Sequence, residues 1–139
     1  MIPTVRPDVQ KTVEEHLEPV PGVRGALVVT ADGEALGAYG LDGKRVEYWA
    51  AMAATMMGVA RRAAEHADGG AIRTLVLDMA DGRIVLAGTG ADSVLLVIAG
   101  PQCRLEPEGA ELTKLGAELA AILRAEPGTA ADGGSGAPS

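Results

Sequence analysis

The sequence predicts an α/β domain, more narrowly α+β, in which a five-stranded antiparallel sheet lies between one long helix and two terminal helices. Three observations carry this prediction: a long stretch with helical spacing of apolar residues, five short apolar runs typical of strands, and tight links between those runs. Links this short cannot hold the crossover that parallel strands need, so strands adjacent in sequence must pair antiparallel. The predicted order is α-β-β-α-β-β-β-α.

Apolar residues three and four positions apart predict helices over about residues 8–20, 46–67 and 108–125. The first helix follows Pro7, which makes Asp8 the expected N-cap. Prolines and glycines end the first and the last of these segments.

Five apolar runs predict strands over residues 25–30, 34–39, 72–79, 83–87 and 93–99. An Asp-Gly pair joins the first two strands and another joins the third and fourth, and this dipeptide is a strong signal for a hairpin turn. The third and fifth runs do not alternate with polar residues, so we expect both faces of the sheet to be covered.

The second predicted helix is the most informative element. Its apolar residues spread over more of the helix circumference than contact with one sheet requires. They are Trp49, Met52, Ala53, Met56, Met57, Val59, Ala60, Ala63 and Ala64. We therefore expect part of this helix to face another polypeptide.

Composition and charge disfavour several classes of function. The chain of 139 residues carries 12 Lys+Arg and 19 Asp+Glu, a formal net charge of −7, and only 2% aromatic residues. Binding nucleic acid needs a cationic face or a stacking platform, so we expect no nucleic-acid partner. No apolar run reaches the ~20 residues of a membrane span and the N-terminus lacks a signal-peptide pattern, so we expect a cytoplasmic protein without direct membrane insertion.

We expect one domain over residues 8–126. Residues 1–7 hold two prolines and little periodicity, and residues 127–139 are almost wholly Gly, Ala, Ser, Pro and Thr. Neither segment buries enough apolar surface to offset the entropy of ordering, which predicts a flexible N-terminus and a disordered tail.

Motif searches predict no catalytic, cofactor or metal site. Residues 40–44 superficially resemble a phosphate loop, but Arg45 stands where such a loop needs a hydroxyl to hold Mg²⁺. His16 and His66 fall on different helices, and neither has a second ligand at metal-binding spacing. The aspartates near the strand ends, Asp78, Asp81 and Asp92, are expected to serve turns.

This succession of elements resembles the roadblock/dynein light chain family in its bacterial form. The resemblance rests on the first hairpin (RGALVVTADGE, residues 24–34), the long Met- and Ala-rich helix, and the strands at 72–78 and 95–99. It covers about residues 8–125. Many relatives have a short Leu-Gly element before the last helix, where this chain has residues 102–107.

The resemblance implies a roadblock/profilin-like fold and a protein that is not an enzyme and needs no cofactor. Members form dimers in which the third strands pair edge to edge and the long helices pack together. Many act with small Ras-like GTPases as scaffolds or regulators of nucleotide state. Relatives in GC-rich filamentous actinobacteria occur in gene clusters (conservons) with a small GTP-binding protein and a histidine-kinase-like membrane protein. The expected partners are therefore a second copy of the chain, a Ras-like GTPase and such a membrane protein.

The residues themselves also favour a dimer. The strand at 72–79 would be an edge strand with few charges, which aggregates unless it is covered or paired. If this strand pairs with the same strand of a second copy, the excess apolar residues of the long helix form a core shared by the two copies. The residue that pairs with itself on the two-fold axis is then expected among Thr74, Leu75 and Val76. The expected interface residues are Ile72, Thr74, Leu75, Val76, Trp49, Met52, Met56 and Val59.

We expect a GTPase to dock on the outer part of the long helices, at Tyr48, Arg61, Arg62 and Glu65. The alternative is that the two arginines only solvate a helix face. Two other functions stay open. One is a small-ligand sensing module, since antiparallel sheets with flanking helices also cradle small molecules. The other is an enzyme that uses Cys103.

Overall fold

Three helices and five strands follow one another in the predicted order in the computed structural model, which describes residues 6–89, 92–106 and 109–125. The helices are α1 (Pro7–Leu17), α2 (Gly43–His66) and α3 (Ala110–Ala125). The strands are β1 (Val23–Thr30), β2 (Ala35–Tyr39), β3 (Thr74–Met79), β4 (Gly82–Gly88) and β5 (Ser93–Ala99).

The strands form one antiparallel sheet in the order β2-β1-β5-β4-β3. In its centre, Leu27 of β1 lies between Ala38 of β2 and Leu96 of β5. The predicted antiparallel sheet is confirmed, and the third strand is an edge strand as predicted. It begins at Thr74, two residues later than expected, so Ile72 precedes it.

The central strands bury side chains on both faces of the sheet. Toward α1 and α3 lie Val28, Leu95 and Val97, packed with Val9, Val13, Leu17, Leu115 and Leu119. Toward α2 lie Leu27, Leu86 and Leu96, packed with Val46, Ala50, Ala53 and Met57. Because successive side chains of a strand point to opposite faces, a strand covered on both sides has no polar alternation. The expectation of two covered faces is confirmed for β5, whereas β3 is exposed from Val76 onward in the single chain.

The outer edge of β2 is closed by α1. Arg6 N donates to Leu36 O (2.8 Å), the Gln10 amide donates to Ala38 O (2.6 Å), and Ala38 N donates to Gln10 Oε1 (2.8 Å). The side-chain amide of Gln10 thereby offers the same donor and acceptor as a peptide group on a neighbouring strand. The C=O of Leu36 and both backbone groups of Ala38 are therefore occupied at this edge.

The helix boundaries differ from the predictions for physical reasons. Asp8 is not the N-cap of α1: Arg6 holds that position, and Asp8 Oδ1 instead accepts from Val9 N (2.8 Å). Proline lacks an N–H and fits the first helical position, so the helix begins at Pro7. It ends at Leu17, because the chain turns there toward Pro19.

The other two helix starts also shift. Asp42 caps α2 by accepting from Arg45 N (3.2 Å), so the helix starts at Gly43 and not near residue 46. The helix α3 starts at Ala110 and not at residue 108, which lies outside the described residues. The expected tail, 127–139, and residues 1–5 also lie outside them, whereas Arg6 and Pro7, expected in a flexible segment, are held by α1.

Replacing Asp68 with glycine should stabilise the domain. Asp68 follows the C-cap of α2 with φ of 54°, and Gly69 N donates to Ala64 O (2.8 Å), the long bond of a helix-ending turn. A left-handed conformation costs a residue with a Cβ roughly 1 kcal/mol relative to glycine. We expect Asp68→Gly to raise the free energy of unfolding by about 0.5–1 kcal/mol in urea denaturation. Asp81→Gly, in the β3–β4 turn, serves as a surface control.

Candidate protein-interaction surface

The outer edge of β3 carries backbone groups that no other described element of the chain covers. Gly88 N donates to Arg73 O (3.4 Å), and the β3–β4 register continues without a bulge. Backbone groups alternate between the two sides of a strand, so every second residue after Arg73 bonds to β4. The N–H and C=O groups of Thr74, Val76 and Asp78 therefore point away from the sheet.

Large hydrophobic side chains are exposed on α2 and on β3. On α2, Tyr48 is 57% and Val59 is 61% exposed; on β3, Val76 is 40%, Leu77 37% and Met79 45% exposed. No other large hydrophobic side chain among residues 6–89, 92–106 and 109–125 is exposed to this degree. Apolar groups concentrated on two elements in this way mark an interaction surface.

One stripe of α2 is buried against the sheet, and the flank of the helix next to that stripe is also apolar. That flank holds Trp49, Met52, Met56, Val59, Ala60 and Ala63, which are half-buried or exposed. Trp49, Met56 and Ala60 pack against the same core cluster as Ile72 and Leu75. By helical spacing, Glu47 near the start of α2 and Arg61, Arg62 and Glu65 near its end lie on the other flank.

We call the outer edge of β3, the preceding residue Ile72 and the apolar flank of α2 the β3–α2 surface. It contains every residue expected at a dimer interface. Ile72, Leu75, Trp49, Met52 and Met56 are half-buried there. Thr74 is half-buried and faces a groove beside α3, whereas Val76 and Val59 are exposed. Which of them contact a second copy stays a prediction.

The expected GTPase-docking residues do not form one cluster in a single chain. Tyr48 stands near the start of α2, where its ring meets that of Trp49 edge to face with centroids 5.2 Å apart. Arg61 and Glu65 line a cleft with Ile72 near the end of the helix. Thirteen residues at 1.5 Å rise separate Tyr48 from Arg61 by about 20 Å.

The side chains that could act in catalysis or metal binding do not cluster. They are scattered or already bonded to neighbouring groups. His16 joins α1 to α3, with its Nε2 3.1 Å from Glu118 Oε2 and its Nδ1 3.0 Å from Thr12 O. Cys103 is a half-buried free thiol beside Gly22. Within the described ranges, no three His, Cys, Asp or Glu side chains come close enough to hold a metal ion.

The clefts found on the described residues are open grooves. Four of them have volumes of about 460 Å³ beside α3, about 510 Å³ at the end of α2, about 480 Å³ at its start and about 580 Å³ at residues 69–74. The ligand-sensing alternative stays a prediction. None of the helices in the described ranges combines the length and the apolar character that crossing a membrane requires.

Comparisons with known proteins identify the domain. Residues 9–99 match the family model described as Roadblock/LC7 domain. The fold is similar to a Roadblock/LC7 domain from Streptomyces avermitilis, at 23% identity and a TM-score of 0.77, covering 83% of this chain and 97% of that one. It is similar to Myxococcus xanthus MglB, at 14% identity and a TM-score of 0.77, covering 86% and 97%. It also resembles MglB with a tetrameric arrangement, at 15% identity and a TM-score of 0.74, covering 85% and 89%. A comparison with curated protein sequences gave no match.

Proposed function

This chain belongs to the Roadblock/LC7 domain family, and from that premise we propose that it is a non-enzymatic, cytoplasmic homodimeric scaffold. In this proposal the dimer binds a small Ras-like GTPase and modulates its nucleotide state or its localisation in a signalling complex. A histidine-kinase-like membrane protein is the further partner that the family resemblance suggests. The observation that carries the proposal is the β3–α2 surface, where an open strand edge adjoins exposed apolar side chains.

The contrast between the two sheet edges supports pairing through β3. Three hydrogen bonds from α1 occupy the outer positions of β2, and two of them come from the single side chain of Gln10. The same fold leaves Thr74, Val76 and Asp78 open on β3. Because an uncovered apolar edge is an aggregation hazard, its natural cover is a second strand.

The register that uses this edge best centres on Val76. A two-fold axis at Val76 pairs Thr74 with Asp78 of the second copy and satisfies all three outward residues. It also sets Leu75 beside the second copy's Leu77 on the face of α2. An axis at Asp78 would oppose two like charges, and an axis at Thr74 would leave Asp78 outside the ladder.

The same two-fold axis also buries the apolar flank of α2 against the second copy. Two copies related by this axis bring their α2 flanks toward each other in antiparallel orientation above the joined β3 strands. The methionines at positions 52 and 56 suit such a contact, because unbranched thioether side chains adapt to irregular surfaces. Antiparallel helices also place the start of one α2, which carries Tyr48, beside the end of the other.

The test of GTPase binding uses a small Ras-like GTPase from the same organism, loaded with GDP or with a non-hydrolysable GTP analogue. We expect binding at micromolar concentration with a preference for one nucleotide state, measured by biolayer interferometry. Arg62→Glu, on the outer flank of α2, should weaken binding roughly tenfold, the effect of losing contacts worth about 1.4 kcal/mol. Lys114→Glu, on α3 at the other face of the sheet, is the charge-matched control. Absence of binding in both nucleotide states would refute the GTPase part of the proposal.

A further inference from the structure

A second surface lies at the start of α2; it shares Trp49 with the β3–α2 surface but does not include the outer edge of β3. Arg24 of β1 and Lys44 and Arg45 of α2 surround a cleft of about 480 Å³, within the ~300–1,000 Å³ range of ligand pockets. The cleft also borders Ile98 of β5, which is two strands inward from β3. Strands are spaced ~4.8 Å apart, so this cleft lies roughly 10 Å from the edge assigned to pairing.

The three cations have no acidic partners of their own. All three are exposed, and within residues 6–89, 92–106 and 109–125 none of their side chains makes an ion pair or a hydrogen bond. Among the residues that the structure describes, none that lines the cleft carries a carboxylate. In a chain with a formal net charge of −7, three unpaired cations around one cleft make it more positive than the remainder of the chain, with Asp42 and Glu47 nearby in sequence.

Between the cations the cleft is apolar. Leu41, Trp49 and Ile98 are half-buried there, and the exposed ring of Tyr48 forms a wall. Trp49 and Tyr48 meet edge to face, which holds both rings in place. A ligand that fits this surface therefore presents an apolar side chain and several separated negative charges.

Two other anionic ligands fit less well. A lone phosphate ion favours convergent backbone N–H donors, and Arg45 N at the start of α2 already bonds to Asp42 (3.2 Å). A nucleic acid would bring a long polyanion against the acidic remainder of the surface. A short acidic segment of a protein meets only the three cations and the apolar floor.

We propose that the cleft formed by Arg24, Lys44, Arg45, Tyr48 and Trp49 binds an acidic linear segment of a partner protein through one inserted apolar side chain. The cations pair with carboxylates on either side of that side chain, which Trp49 and Ile98 cover. This binding does not require the partner to be a GTPase, and it does not use the outer edge of β3.

The test uses the single tryptophan of the chain as a reporter inside the site. The probe is a synthetic peptide with two central leucines flanked on each side by aspartates, and it contains no aromatic residue. We expect a saturable change in Trp49 fluorescence with a Kd on the order of tens of micromolar, as for a small, transient interface. Raising NaCl from 50 to 300 mM should weaken binding several-fold, because exposed charges are screened.

The decisive variant is the double substitution Lys44→Glu with Arg45→Glu, which should raise the Kd at least tenfold. Acidic residues are favourable in the first turn of a helix, so α2 is preserved, and circular dichroism checks this. Lys114→Glu on α3 should bind as the unmodified protein does. A peptide with asparagines in place of the aspartates should not bind.

Three results would overturn the inference. One is an equal affinity for the asparagine peptide. Another is the same fluorescence change with inorganic phosphate alone, which would make the cleft a small-anion site. The third is a Trp49 fluorescence that changes with protein concentration but not with added peptide. That result would make the cleft part of the contact between two copies. Each of these results can be told apart from a failure of the GTPase experiment, because that experiment uses a different ligand and a different measurement.

Discussion

Replacing Val76 with proline should convert the protein from a dimer to a folded monomer. Proline has no N–H, and the N–H of Val76 points away from β4, so the β3–β4 ladder keeps all its bonds. On the proposed axis, two hydrogen bonds and close contact between the strands are lost together. At about 0.5–1.5 kcal/mol per hydrogen bond, with steric exclusion added, the dimer Kd should rise roughly 100-fold or more.

Multi-angle light scattering after size exclusion measures this change. At micromolar concentration we expect a mass of 14.1 kDa for Val76→Pro and twice that mass for the unmodified protein. Val76→Thr is the matched control, because it keeps the N–H and the β-branched side chain and should stay dimeric. A dimeric Val76→Pro variant with unchanged affinity would show that the copies do not pair through this position.

Replacing Gln10 with alanine should cost about 2 kcal/mol of stability and open the second edge of the sheet. Its amide makes bonds of 2.6 and 2.8 Å to the backbone of Ala38, and each such bond contributes about 0.5–1.5 kcal/mol net. Without them, β2 presents a free donor and acceptor to neighbouring molecules. We therefore expect a lower urea midpoint and association beyond the dimer at high protein concentration.

Glu14→Ala separates the two roles of Gln10. The Gln10 amide nitrogen also lies 2.7 Å from Glu14 Oε2 at an exposed position, where one hydrogen bond contributes little. We expect Glu14→Ala to change the free energy of unfolding by less than about 0.5 kcal/mol, at the same protein concentration. Equal losses in the two variants would mean that the bonds to β2 do not stabilise the fold.

The order of helices and strands could be predicted because hydrophobic periodicity and turn-forming residues are properties of short stretches of sequence. The four-residue spacing of Val9, Val13 and Leu17 and the Asp-Gly turns depend only on near neighbours in sequence. The capping of α2 by Asp42 was missed although an acidic N-cap is a local signal, because Gly43 and Lys44 lack the apolar periodicity that marks a helix interior. The closure of β2 was not predictable, since Gln10 reads as an ordinary polar residue on a surface helix.

The interaction surface could be predicted only in part. The apolar excess on α2 and the few charges of β3 were visible in the sequence. The register between β3 and β4 decides which backbone groups of β3 point outward. No local sequence pattern predicts that register. The cleft at the start of α2 matched no sequence motif. Arg24 and Lys44 are twenty residues apart, and the β1–β2 hairpin, in which Ala26 pairs with Tyr39, brings their segments together.

A cross-link on the proposed axis tests the central claim most directly. With Cys103→Ser removing the native thiol, Val76→Cys places two thiols on strands whose Cα atoms are expected ~5.5 Å apart, within disulfide range. Thr74→Cys places them four residues apart along the strands, about 13 Å, which is beyond that range. After mild oxidation, intact-mass measurement should find a covalent dimer for Val76→Cys and a monomer for Thr74→Cys. Two folded variants that both remain monomeric would contradict the pairing of β3 with its own copy.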